Sequence, residues 1–132
     1  MKKAQHQVPE ETWERHGYVI SHVDFPYQDY TTNINSFLVI KNLHSQQTIQ
    51  IKFLIFDLYY KPGERSCYYD YLELSNTGNN KPTKFCGEPA QKPILNLWYN
   101  LTISGSNIEI KFKTNENPLS LGNGFYFEYR GK

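Results

Sequence analysis

The residues best equipped for chemistry lie between Phe53 and Gly87, a stretch that holds both cysteines and sets Asp70 among Tyr68, Tyr69 and Tyr71. Cys67 and Cys86 enclose 18 residues. They are either two buried thiols or a disulfide, and a disulfide removes the thiol nucleophile. The four histidines, His6, His16, His22 and His44, fall in the N-terminal lead and in predicted loops, with no spacing that pairs them with a metal or a nucleophile. A nucleophile elbow, a zinc-binding helix and a phosphate loop are all missing from the sequence. Catalysis is therefore not expected, and binding is.

Composition narrows what is bound. Lys plus Arg number 14 against 13 Asp plus Glu, a formal net charge of +1. No global field steers the chain to nucleic acid, and partners must be recognised locally. Lys81, Lys84 and Lys92, with Lys111 and Lys113, form two modest basic groups that suit a sulfated glycan, or else are solvated charges guarding strand edges. No apolar run approaches the ~18–20 residues that span a bilayer as a helix.

The elements that position these residues read as strands. Aromatics make up 16% of the chain, and Tyr, Phe, Ile and Thr dominate the apolar runs, which favours sheet over helix. Residues 1–16 read as a flexible polar lead, pinned if at all by Trp13, and 17–132 as a single domain. Short strands are predicted at 17–21, 37–41, 48–56, about 98–103, 108–113 and from 125. In the third, Ile49, Ile51, Phe53 and Ile55 alternate toward a core, with Leu54 and Phe56 apolar on the opposite face. The runs on either side of Cys67 are expected to pair as a hairpin, the second strand carrying Asp70. About eight short strands separated by turns mean an antiparallel sandwich or barrel, all-β in class.

The ordered set Phe56-Asp57-Leu58, Cys67-Tyr68-Tyr69-Asp70-Tyr71 and Cys86-Gly87 resembles the centre of the CUB domain, an extracellular β-sandwich of jelly-roll type shared with the spermadhesins. Gly17 to Ser21, Phe25-Pro26 with Tyr30, and Gly124-Phe125 with Tyr129 follow the family's order. The likeness covers about residues 17–130. It implies an all-β antiparallel sandwich, a Cys67–Cys86 disulfide worth on the order of 3 kcal/mol, and a secreted origin. The Asn100-Leu101-Thr102 glycosylation sequon agrees with secretion. The start, Met1 to Gln7, has the charge of a signal peptide but no apolar run after it, so either the chain is cytosolic or a signal is already removed; the cysteine pair and the sequon favour the second, with Met1 added to a mature or excised chain. The usual N-terminal disulfide is missing, with Ser36 at one of its positions.

Many members of that family hold one Ca²⁺, and the resemblance carries its ligands over only in part. Asp70 matches one acidic ligand and Tyr30 the bracing tyrosine, while Tyr59 replaces a Glu and Asn115 an Asp. With one carboxylate where three are usual, calcium is not expected as a fixed cofactor. The ligands left for it are Asp70, Asn115 and Glu64. Otherwise Asp70 hydrogen-bonds to tyrosine and backbone and is structural.

With ionic capture weakened, the expected contact surface is a sheet end of Tyr30, Tyr59, Tyr60, Arg65, Tyr69 and Asp70, joined by Asn115. Tyr and Arg are enriched at binding hot spots. The same tyrosines also suit a core with hydroxyls at its rim. The reading is an extracellular, non-enzymatic module that binds a protein. The alternatives are a glycan or heparin binder using Lys81, Lys84, Lys111 and Lys113, or the interaction module of a larger secreted protease or receptor.

Overall fold

Alternating apolar residues become sheets where each strand buries one face, and here two such faces meet. The structure, a computed structural model, describes residues 2–3, 16–41, 48–63, 67–75, 82–102, 107–117 and 121–131. Among them are β1 (Lys2–Lys3), β2 (His16–Ile20), β3 (Asn35–Lys41), β4 (Thr48–Asp57), β5 (Tyr71–Ser75), β6 (Thr83–Phe85), β7 (Trp98–Thr102), β8 (Asn107–Lys113) and β9 (Gly124–Gly131). A single 3₁₀ turn spans Pro89–Gln91. One sheet has the order β1-β2-β9-β4-β7 and the other β3-β8-β5-β6, and every pairing is antiparallel. The expected all-β sandwich is what forms.

The core lies between the sheets and is aromatic. Phe53, fully buried, meets the rings of Phe56, Phe85 and Phe127 at 5.0–5.5 Å. Phe112 packs on Phe125 at 5.0 Å and on Tyr30 at 5.4 Å. Phe125, Phe127 and Tyr129 supply the inward face of β9, as their spacing predicts.

Strand β4 departs from its predicted alternation. Its register with β9 runs Phe53 to Phe127 and then Ile55 to Tyr126, leaving Leu54 as the extra residue of a bulge. One inserted residue reverses the phase. Ile49, Ile51 and Phe53 point inward, but beyond the bulge Phe56 is buried and Ile55 only half-buried. Beyond the bulge the inward face of the strand has switched.

The expected hairpin across Cys67 does not form. β4 belongs to the five-stranded sheet and β5 to the four-stranded one, so the chain changes sheets between them. The antiparallel partner of β5 is β6. Asp70 sits just before β5, at the end of the crossing segment. Cys67, in that segment, is disulfide-bonded to Cys86 directly after β6, with 5.5 Å between their Cα atoms. The staple ties the sheet-to-sheet crossing to the edge of the second sheet.

The N-terminal lead contributes Lys2 and Lys3, paired with Ile20 and Val19, and His16, which opens β2. Its remainder, with Trp13, lies outside the described residues, as do Glu64, Arg65 and Lys81.

Candidate functional site

Where β4, β5, β8 and β9 meet the crossing segment, the fold buries a carboxylate. Asp70 is fully inaccessible. Its Oδ2 accepts the Tyr30 hydroxyl at 2.6 Å. Its Oδ1 accepts both the backbone N–H of Asn115 at 2.8 Å and the Asn115 side-chain amide at 2.6 Å. Such donors offset the desolvation that a buried charge otherwise suffers. Tyr30 passes the network on, its oxygen accepting the backbone N–H of Tyr59 at 2.8 Å. Burial, reinforced by the hydrogen bond to Asp70, raises the Tyr30 hydroxyl well above its ordinary value of 10.0. It stays a neutral donor.

Asn115 is held on every side. Its Oδ1 accepts the N–H of Asn117 at 2.7 Å and its carbonyl the N–H of Asn33 at 2.9 Å. This fixes the amide's orientation, because a carboxylate takes only donors and a backbone N–H gives only one. Beside it, buried Thr114 locks the loop after β8 through Oγ1, accepting from Ile34 N–H at 2.8 Å and donating to the Thr31 carbonyl at 2.9 Å.

Outside this network the tyrosines divide. Tyr30, at 1% exposure, is core, and Asp70 is buried with it. Neither reaches the surface, so the expected place of Tyr30 and Asp70 in a contact face is corrected: both are buried. Tyr59, Tyr60 and Tyr69 are half-buried, and Tyr68 is 77% exposed. Tyr69 takes Tyr59 edge-on at 6.1 Å and Tyr68 edge-on at 5.1 Å, with the Lys61 ammonium 5.8 Å from its centre. Next to them a groove of about 540 Å³ is lined by Asn33, Tyr68, Tyr69, Lys113, Thr114, Asn115, Glu116 and Asn117. A close approach of backbone braces this end. A Cβ on Gly87 would lie 2.5 Å from the Leu58 carbonyl oxygen and 2.8 Å from Tyr60 Cβ.

A family model described as CUB domain matches residues 9–129. The chain belongs to the CUB domain family. Solved structures agree on the fold. A CUB1-EGF-CUB2 fragment of rat MASP-1 is 21% identical with a TM-score of 0.69, covering 90% of this chain and 41% of its own. The human MASP-1/3 fragment is 20% identical at 0.70, covering 90% and 42%. The extracellular region of zebrafish Gpr126/Adgrg6 is 25% identical at 0.66, covering 89% and 14%. A crystal structure of the MASP-1 CUB2 domain bound to Ca²⁺ is 22% identical at 0.65, covering 89% and 94%. This chain thus spans about two fifths of the length of the first two. No match was found among curated proteins.

Among the described residues, the oxygens that the family resemblance assigns to calcium are engaged in hydrogen bonds. A hard cation needs six to eight oxygens facing one point. Both carboxylate oxygens of Asp70 instead receive hydrogen-bond donors, and the amide oxygen of Asn115 receives Asn117 N–H. Glu64 lies outside the described residues.

The basic groups are divided by register. Lys111 stands between Phe37 and Glu73, and Glu73 between Lys111 and Lys84. The carboxylate separates the two lysines, and each ammonium rests near a ring, Lys84 4.3 Å from Tyr71 and Lys111 5.7 Å from Phe37. Lys113, two residues on from Lys111 along β8 and opposite Tyr71, also lines the groove. Asn100 is exposed on β7, its Oδ1 accepting Gln50 Nε2 at 2.7 Å. Sequence reasoning missed the locking roles of Thr114 and Asn117, polar loop residues with no periodic signal to mark them.

Proposed function

We propose that this CUB domain is an extracellular, non-catalytic module that captures a protein partner through its tyrosine end, without bound calcium. The carrying observation is the exposed Tyr68 held edge-on by Tyr69 at the rim of the groove. A large, pre-oriented aromatic with a polar tip gives contact area at little entropic cost. Tyr59 and Tyr60 extend the surface, and Lys113 and Glu116 give the groove mixed charge that favours a polar protein rim over a polyanion. The placement of Glu73 between Lys84 and Lys111 counts against heparin. Family membership, and relatives in which a CUB domain is one part of a longer chain, support an interaction module of a larger secreted protein. Asn100, exposed on an edge strand, is the proposed N-glycan site.

The test is capture of extracellular proteins by the immobilised domain. A true partner binds equally in Ca²⁺ and EDTA. Tyr68→Ala weakens its capture about tenfold or more while the melting temperature stays as in the parent. A partner indifferent to Tyr68→Ala, or released by EDTA, would sink this reading.

A further inference from the structure

The segment Pro89-Ala90-Gln91-Lys92-Pro93-Ile94-Leu95-Asn96-Leu97-Trp98 carries one charge, Lys92. It is a pinned loop. The N–H of Ile94 donates to the Tyr99 hydroxyl at 2.8 Å, the N–H of Asn96 donates to the Phe53 carbonyl at 2.8 Å, and Pro93 is buried beneath. Asn96 turns the chain with φ of 60°. Held this way, the loop points its aliphatic side chains outward, with Ile94 at 64%, Leu95 at 44% and Leu97 at 45% exposure. The tyrosine end uses none of them.

Next in the chain, opening β7 opposite Lys52, stands Trp98. The Arg130 guanidinium lies 3.8 Å and the Lys52 ammonium 4.7 Å from its ring centre. Arg130 also donates Nε–H to Gln50 Oε1 at 2.7 Å, and Lys52 pairs with Glu128 at 3.3 Å. Lys92, exposed, precedes the tip. With Lys52 counted against Glu128, Arg130 at the indole and Lys92 two residues before Ile94 leave net positive charge on either side of the tip in the chain. Aliphatic tip, indole, then cations is the order in which a bilayer surface presents acyl chains, interface and anionic headgroups.

We propose that the 92–97 loop docks this domain on an anionic phospholipid bilayer, seating Ile94, Leu95 and Leu97 at the acyl boundary with Trp98 in the interface and Lys92 and Arg130 at the headgroups. The docking is peripheral. It stands independently of the tyrosine-end reading, since no residue is shared.

The sequence has two tryptophans, so Trp13→Phe leaves Trp98 as the reporter. In flotation with phosphatidylcholine vesicles containing phosphatidylserine, the protein is expected to float and Trp98 emission to shift to the blue. Binding falls on phosphatidylcholine alone. Ile94→Ser with Leu95→Ser reduces it about tenfold or more with an unchanged melting temperature, and Lys92→Glu reduces it severalfold. Failure to float on the phosphatidylserine vesicles overturns the proposal, as does flotation indifferent to the double variant. A dimer that forms without lipid and is lost in the double variant, with no flotation, would also overturn it by assigning the loop to a second copy of the chain.

Discussion

Asn115 aims two N–H donors, from its backbone at 2.8 Å and its side chain at 2.6 Å, at the same oxygen of Asp70. The two residues are 45 positions apart, on the loop after β8 and at the end of the sheet crossing. Their contact continues the β5–β8 pairing, in which Tyr71 faces Lys113, just past the strand ends. It also satisfies, with the Tyr30 hydroxyl, a carboxylate that is wholly out of water.

Asp70→Asn should destabilise by about 2–4 kcal/mol in urea unfolding, because the new amide must turn an NH₂ toward the donors of Asn115 or of Tyr30. A cost below about 0.5 kcal/mol, the scale of a surface change, would contradict this account of the network.

Tyr59→Glu combined with Asn115→Asp should convert the end into a cation site. Carboxylates facing Asp70 repel one another, so the variant is expected to melt below the parent in EDTA. Calcium, bound only by the folded state, should raise its melting temperature in a concentration-dependent way. Equal melting in calcium and EDTA would show that loop geometry, and not ligand identity, excludes the ion.

The Tyr30 hydroxyl titrates above its ordinary value of 10.0 in the folded protein. An acid whose folded value is raised is more easily deprotonated when unfolded. Its contribution is then fully present below about pH 10 and lost as pH climbs through the folded value. Tyr30→Phe should cost about 1–3 kcal/mol at neutral pH, from the unpaired Asp70 oxygen and Tyr59 N–H. It should also show a shallower loss of stability above pH 10 than the parent. Parallel alkaline slopes would remove Tyr30 from the explanation.

Much of the fold was legible because strands that bury one face write a period of two into the chain. Ile108 to Lys113 and Phe125 to Tyr129 read directly as they fold. The bulge at Leu54 was not legible, since Lys52-Phe53-Leu54-Ile55-Phe56 is apolar in both phases beyond Lys52 and any register satisfies it. The sheet change between β4 and β5 was hidden for a related reason. Two strands flanking a loop look the same whether they pair or face each other across a core. At the site, Asp70 was identified by its neighbours in sequence, but its burial depends on Tyr30 and Asn115, 40 and 45 residues away. The exposure of the Ile94-Leu95 tip was not legible, because it is set by the bonds to Tyr99 and Phe53 and not by composition.

The most direct measurement is the thermal melt of the unmodified domain in millimolar calcium against EDTA. A ligand held only by the native state adds RT ln(1 + [L]/Kd) to stability. With Asp70 and Asn115 committed to each other, the two curves are expected to superimpose. A rise of several degrees in calcium would mean that the ion displaces the Asn115 amide, and it would return partner capture at this end to an ionic mechanism.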